Sequence, residues 1–287
     1  NEEYSGRLNL AIDIFKGIYE RKFFHELVSG QLDMDRLDYL RRDSFFTGVI
    51  EGSVGSDRII RMLNVVNDSL VIDEKGIYSV EKFLIARRLM YWQVYMHKAV
   101  IASETLLVNV LRRAKELAME GVDLYATPAL RFFLYNRFGP DDLLKEGKFT
   151  PGILATNFTR LDDSDILVSA KYWADSRDMI LADLASRLMR RGLLAVELQN
   201  EPFPRDRLNT LTEKVVDVFK IEPRLASYYV FSNSISNLAY TPGFPEVRIL
   251  LKSGKTADIS DVSDMFDHRF LSERITKYFL CYPKELR

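Results

Sequence analysis

Gln31 to Gly48 reads Q-L-D-M-D-R-L-D-Y-L-R-R-D-S-F-F-T-G, four aspartates, three arginines and a tyrosine in one short run. At ~100° per residue on a helix, Asp35, Tyr39 and Asp43 fall on one side, with Arg42 close by and Arg36 beside them. Such a face is acidic and basic at once. Its plainest explanation is a solvated helix whose charges pair three or four residues apart, as Asp38 would with Arg41 or Arg42 for a few tenths of a kcal/mol. The alternative is a site, and the surrounding chain bears on that choice.

Downstream, Gly48, Gly52 and Gly55 have neither the G-x-G-x-x-G nor the P-loop spacing, so they read as a turn region. Asp57 to Met62 is expected to be a short helix, and Leu70 to Ile77 two strand fragments about a turn at Asp73 to Gly76. Ser79 makes a good cap for a long helix running, with a bend, to Gly121. Taking Arg87 as zero on that helix, Tyr91, Tyr95 and Lys98 lie at ~40°, ~80° and ~20°. These four side chains form a polar and aromatic stripe. Core tyrosines with one wet end would produce it, and so would a polyphosphate site, because a guanidinium fork matches phosphate oxygens.

Upstream, Leu8 to Tyr19 and Lys22 to Val28 have helical periodicity, the second ending at Ser29-Gly30. His25 reads there as a packed or solvent-facing histidine. Beyond the stripe, helices are expected at Pro128 to Phe138, Asp163 to Trp173 and Arg177 to Arg190. The run Leu161 to Asp165 is rich in aspartate, which suits the start of a helix better than a cation site. From Gly192 the pattern changes. Strand-like runs at Leu194 to Leu198, Tyr228 to Phe231, Val247 to Leu251 and Lys277 to Tyr282 flank a helix at Asp206 to Phe219. Ser253 to Thr256 mimics the tail of a P-loop, but Ile249 stands where its first glycine belongs, so it reads as a hairpin turn. Asn200 to Pro204 and Tyr240 to Pro245 read as connections. The whole is mainly α: a helical core over 1–191 and a smaller α+β module over 192–287.

The composition is that of an ordinary globular chain, with 287 residues, 47% of them hydrophobic. Forty Lys and Arg against 41 Asp and Glu leave a net charge of -1, so no global field points to nucleic acid or an anionic membrane. Any anion site is local. One cysteine and three scattered histidines make no zinc pattern, and a reducing cytoplasm is the expected compartment. No apolar run reaches the ~18 residues that span a bilayer.

The string from Leu32 to Val49 closely resembles the last signature of the HD-domain phosphohydrolases, in the branch that includes the deoxynucleoside triphosphate triphosphohydrolases. The likeness continues through V-I-D-E-K-G-I-Y-S-V-E-K-F-L-I-A-R-R-L-M-Y-W-Q-V-Y-M-H-K, Val71 to Lys98. The resemblance implies a metal-dependent release of triphosphate from a deoxynucleoside triphosphate. It makes Asp35 a metal ligand, Arg36 and Arg87 phosphate-binding residues, and Tyr39 the tyrosine that approaches the scissile phosphate. Asp43 would read the deoxyribose 3′-hydroxyl and Tyr95 would contact the sugar. It also implies a divalent metal such as Mg, Mn or Fe, a nucleotide substrate, a regulatory nucleotide and a homo-oligomer.

The family is named for a His, a His-Asp doublet and a distant Asp. His25, His97 and His268 are followed by Glu, Lys and Arg, so no such doublet is present. The chain is therefore expected to lack three of four metal ligands, to begin partway through a longer product, and to be inactive by itself. A nucleotide sensor or oligomerisation scaffold without chemistry, or an HD phosphohydrolase acting on another phosphate ester, is the competing expectation.

Overall fold

A computed structural model describes residues 4–139, 149–237, 247–265 and 274–287. The chain divides into two compact units, 1–97 with 235–276, and 98–234 with 277–287. This is not the division at 191/192 expected from the sequence. The strand at 248–250 is the reason, because it pairs with a hairpin far upstream.

In the first unit, helices α1 (Asn9–Lys16), α2 (Phe23–Ser29), α3 (Met34–Thr47) and α4 (Ser56–Met62) precede the hairpin β1 (Leu63–Val66) and β2 (Ser69–Asp73). Asn67 and Asp68 both take positive φ, 48° and 61°, which is the two-residue turn that suits the twist of a tight hairpin. The turn thus lies at Asn67-Asp68 and not at Asp73 to Gly76. Glu74–Gly76 instead forms a 3-10 turn that leads directly into α5 (Ile77–Met90).

The long helix expected to Gly121 is interrupted. A π turn, Tyr91–Tyr95, follows α5, with Met96 N bonded to Tyr91 O at 2.7 Å in the five-residue pattern. The second unit opens with α6 (Lys98–Met119) and continues with α7 (Pro128–Tyr135), α8 (Pro151–Phe158), α9 (Asp163–Trp173), α10 (Met179–Met189), strand β3 (Ala195–Gln199) and α11 (Arg205–Phe219). Sequence reasoning missed α8, although Thr150 caps it and Pro151 sits at its first position. It found the cap of α9, where Asp162 and Asp165 form a reciprocal capping box. Tyr228 to Phe231 was expected to be a strand. The chain instead makes a 3-10 turn over Pro223–Tyr228, and the strand β4 spans Phe231–Asn237.

The remaining elements are β5 (Arg248–Leu250), β6 (Thr256–Asp258), α12 (Ile259–Val262) and β7 (Ile275–Tyr282). Two sheets result, ordered β1-β2-β5-β6 and β3-β7-β4. In the first, Val71, Ile72 and Asp73 pair in parallel with Arg248, Ile249 and Leu250. The strands of the expected α+β module are therefore shared out, and β2 is the acceptor for β5. The hairpin turn expected at Ser253 to Thr256 does join β5 to antiparallel β6, with Gly254 at φ 81°. Tyr240 to Pro245 and His268 lie outside the described residues.

The first unit's core gathers Leu40, Ile59, Val80, Phe83, Leu84, Met90, Ile249 and Ile259, each 0% exposed. Each large apolar side chain so buried stabilises by about 1.5–3 kcal/mol. The second unit centres on Leu106, Val110, Trp173, Leu181, Leu184, Val215 and Leu280. No helix among the described residues is long and apolar enough to cross a membrane.

Candidate active site

Asp33 starts the site by starting α3. In extended backbone, its carboxylate accepts from Arg36 N at 2.8 Å and so satisfies one of the helix's unpaired donors. The Arg36 guanidinium folds back to donate to the Asp33 carboxylate and to the Gly30 carbonyl. Burial pushes the Asp33 carboxyl above the usual carboxylate range, against the pull of the Arg36 bond and charge; the charges of Asp35 and Arg87 act on it too. Arg36 and Arg87, distant in sequence, therefore share an acidic neighbour.

Along α3, Leu37, Leu40 and Ser44 are buried, a stripe at helical spacing. Tyr39 and Asp43 flank that stripe and are half-buried, while Asp35, Asp38, Arg41 and Arg42 are exposed. The pairing that a plain surface helix would show exists on the exposed side, where Arg42 bonds Asp38. Both readings of Gln31 to Gly48 thus apply, each to a different face.

The π turn meets the half-buried flank. Tyr95 donates its hydroxyl proton to Asp43 Oδ2 at 2.7 Å. The Tyr39 ring stands edge-on to Tyr95 with centroids 5.9 Å apart, and Tyr91 meets Tyr95 likewise at 5.3 Å. Arg87 lies over the Tyr91 ring, 5.9 Å from its centroid. Burial raises the Tyr39 phenol above its ordinary range, Tyr91 adds to this through charge and a side-chain bond, and Arg87 and Arg36 oppose it. The Tyr95 phenol is raised further, first by burial and then by the bond to Asp43. Both phenols are neutral donors at physiological pH.

Of the residues expected from the sequence, Tyr39, Asp43, Arg87 and Tyr95 come together, and Arg36 joins them through its charge on Tyr39. Asp35 is exposed, and its charge acts on Asp33. Lys98, at the far end of the expected stripe, begins α6 of the second unit, where its charge acts on Glu197. His25 is a packed histidine, its Nδ1 3.0 Å from the Ile14 carbonyl. Asp33 and Tyr91 are the members that sequence reasoning did not assign. Asp33 was visible as an aspartate directly before a helical run, the ordinary signal of a cap.

Among the described residues no group of three His, Cys, Asp or Glu side chains could hold a metal ion. A hard cation wants several oxygen ligands at once, which one exposed carboxylate does not supply. The side chains present here therefore do not by themselves form a metal site. What they form is a patch with two guanidinium charges, three phenols and a carboxylate acceptor, groups that donate to and accept from polar and anionic ligands.

Comparison with known proteins identifies the family. Residues 54–127 match the model of the HD associated region. A phosphohydrolase of Bacteroides thetaiotaomicron, known from its crystal structure, is 48% identical with a TM-score of 0.91, the match covering 98% of this chain and 69% of that one. The YwfO protein of Bacillus subtilis is 32% identical over 281 residues, 96% of this chain and 60% of that protein. A Dictyostelium discoideum protein named as a deoxynucleoside triphosphate triphosphohydrolase homologue is 28% identical over 102 residues, 34% of this chain and 19% of its own length. The chain thus spans about 60% of its Bacillus relative and 69% of the Bacteroides structure. With near-complete coverage of this chain at 48% identity and an HD associated region across the helix that carries Arg87, the chain belongs to the HD phosphohydrolase family.

Proposed function

We propose that the whole protein removes inorganic triphosphate from a deoxynucleoside triphosphate, releasing the deoxynucleoside. The observation that carries this reading is the Tyr95 to Asp43 hydrogen bond with Tyr39 edge-on beside it. A carboxylate held by a phenol is an acceptor for a sugar hydroxyl, and Asp43 takes that role toward the 3′-hydroxyl. Tyr95 then packs along the sugar. Arg87 and Arg36 face the phosphates, where guanidinium charge offsets the negative charge that develops as the bond to the 5′-oxygen breaks. Tyr39, neutral and half-buried, donates to the phosphate under attack. The partial likeness to the Dictyostelium relative supports this substrate class.

HD phosphohydrolases generally use divalent metals, which polarise phosphoryl oxygens or activate water. Asp35 is the residue of this chain proposed to contribute a ligand. Homo-oligomerisation and a regulatory nucleotide belong to the same reading.

The test uses the whole natural protein with Mn or Mg and the four deoxynucleoside triphosphates, with triphosphate and deoxynucleoside both measured. Turnover is expected, abolished by Asp35→Ala and strongly reduced by Asp43→Asn. No turnover with either metal would sink the proposal. Nucleotide binding without turnover would favour a sensor instead.

A further inference from the structure

Arg36 faces the phosphates in the proposed reaction, yet its guanidinium is already tied to the protein. Nη1 donates both to the Asp33 carboxylate and to the Gly30 carbonyl. Each anchor is itself fixed. The Asp33 side chain is 5% exposed, and its other oxygen caps α3 by accepting from Arg36 N at 2.8 Å. Gly30 ends α2, with its own N–H bonded to Glu26 O at 2.9 Å, and a Cβ there would lie 2.3 Å from that same oxygen. The backbone can take this course only without a side chain. Arg36 is thus held between the end of one helix and the start of the next.

A guanidinium carries its N–H donors in a rigid fork that matches phosphate oxygens two at a time. Because both bonds leave from Nη1, the edge formed by Nε and Nη2 keeps its donors for a ligand. The side chain is 28% exposed, so a ligand from solvent can meet it, and Tyr39 lies one turn on along α3. We propose that Asp33 is a positioning residue for Arg36. With the Gly30 carbonyl it holds Nη1, so that the Nε and Nη2 edge is set for two oxygens of a phosphate chain before the substrate arrives. A long side chain left loose would have to be ordered on binding, which weakens affinity roughly three- to tenfold. One carboxylate therefore starts the helix and places its arginine. This inference rests on the proposed reaction, which supplies the phosphate.

The test is steady-state hydrolysis of a deoxynucleoside triphosphate by the whole natural protein. Asp33→Ser keeps a cap for α3, since serine caps about as well as aspartate, but it is too short to reach Nη1 as well. Asp33→Asn has the native shape and still accepts from Arg36 N, while its Nδ2 cannot accept from Nη1. The released guanidinium is near water, so the melting temperature of both variants should stay near wild-type. KM should rise roughly three- to tenfold with kcat little changed, the pattern of binding lost equally from ground and transition states. In an Arg36→Gln background neither variant should raise KM further, because no guanidinium remains to be placed. Loss of the Asp33 charge favours an anionic ligand in either background, so the comparison isolates the tether. An unchanged or lowered KM in both variants, or an equal rise in the two backgrounds, would overturn the proposal.

A second measurement reads without turnover. In protein carrying arginine labelled with nitrogen-15, the Arg36 guanidinium signals are identified by their loss in Arg36→Gln. Bonds at Nη1 oppose rotation of the fork, so exchange between Nη1 and Nη2 should be slow in wild-type protein and faster in Asp33→Ser. An unchanged exchange rate refutes the tether. A tether established in this way in protein that hydrolyses no nucleotide would refute the proposed reaction, and with it the phosphate as ligand of that edge, while leaving Asp33 as the residue that holds Arg36.

Discussion

Replacing Asp178 should separate two roles that one carboxylate performs in the second unit. It caps α10 by accepting from Leu181 N at 2.8 Å. It also receives a two-pronged bond from Arg113, with Nε to Oδ1 at 3.1 Å and Nη2 to Oδ2 at 2.6 Å. The Arg113 side chain is 8% exposed and that of Asp178 21%. Asp178→Ala removes a cap, about 1 kcal/mol, and strands a buried guanidinium, about 3–5 kcal/mol. Arg113 retains Glu116 at 3.2 Å, whose side chain is 45% exposed. That remaining partner places the second loss at its lower end, so the sum is about 4 kcal/mol. Asp178→Asn keeps an oxygen for Leu181 N and loses only the charge, so it should cost about 1 kcal/mol less. Urea denaturation measures both as displaced midpoints with an unchanged slope. Equal costs for Ala and Asn would refute the capping role, and an Asp178→Ala cost of about 1 kcal/mol would refute the ion-pair argument.

The same residue gives a pH signature. Burial raises the Asp178 carboxyl, but the Arg113 bond and charge and the helix-start donors outweigh it, and the net is a value held below the ordinary 3.8. A depressed carboxylate stabilises the fold fully above its unfolded value and loses that contribution as pH falls through the folded one. The stability gap between wild-type and Asp178→Asn should therefore be flat from neutral pH down to about 5 and shrink below about 4.

Gly52→Ala should destabilise the first unit by about 1–3 kcal/mol, the usual cost of overpacking. A Cβ there would lie 2.3 Å from Met90 Sδ, 2.7 Å from its Cγ and 2.9 Å from Ser44 Cβ, and a thermal melt reads the result. Tyr95→Phe removes the donor from Asp43, a bond to a charged group. Steady-state hydrolysis by the whole protein should then show kcat/KM down roughly tenfold or more, and an unchanged value would take Tyr95 out of the site.

Local chemistry made much of this legible. The caps at Asp162 and Asp33, the helix of Arg205–Phe219 and the β5 to β6 turn all follow from residues a few positions apart. The hairpin turn at Asn67-Asp68 was equally local, and was passed over for a Gly-containing stretch that instead feeds α5. What sequence spacing does not carry is which strand accepts which. Val71 to Asp73 could have remained an edge, yet it pairs with Arg248 to Leu250, and no periodicity in either run names the other. The compact units differ from the division at 191/192 for the same reason. The helical interruption at Tyr91–Tyr95 was hidden because Arg87, Tyr91 and Tyr95 share a face in an unbroken helix too.

The mixed charge of Gln31 to Gly48 is resolved by burial. Leu37, Leu40 and Ser44 turn one stripe of α3 into the core. Asp38 and Arg42, turned away from it, form an exposed ion pair of little energetic weight. Tyr39 and Asp43, at the edge of that stripe, lose part of their water and gain partners from the π turn. Partial burial raises phenols that are already protonated at neutral pH further above their ordinary range, and a protonated phenol is a hydrogen-bond donor. A fully exposed tyrosine would be solvated by water, and a fully buried one could not reach a substrate. Asp35 is exposed, and among the described residues no group of three His, Cys, Asp or Glu side chains surrounds it.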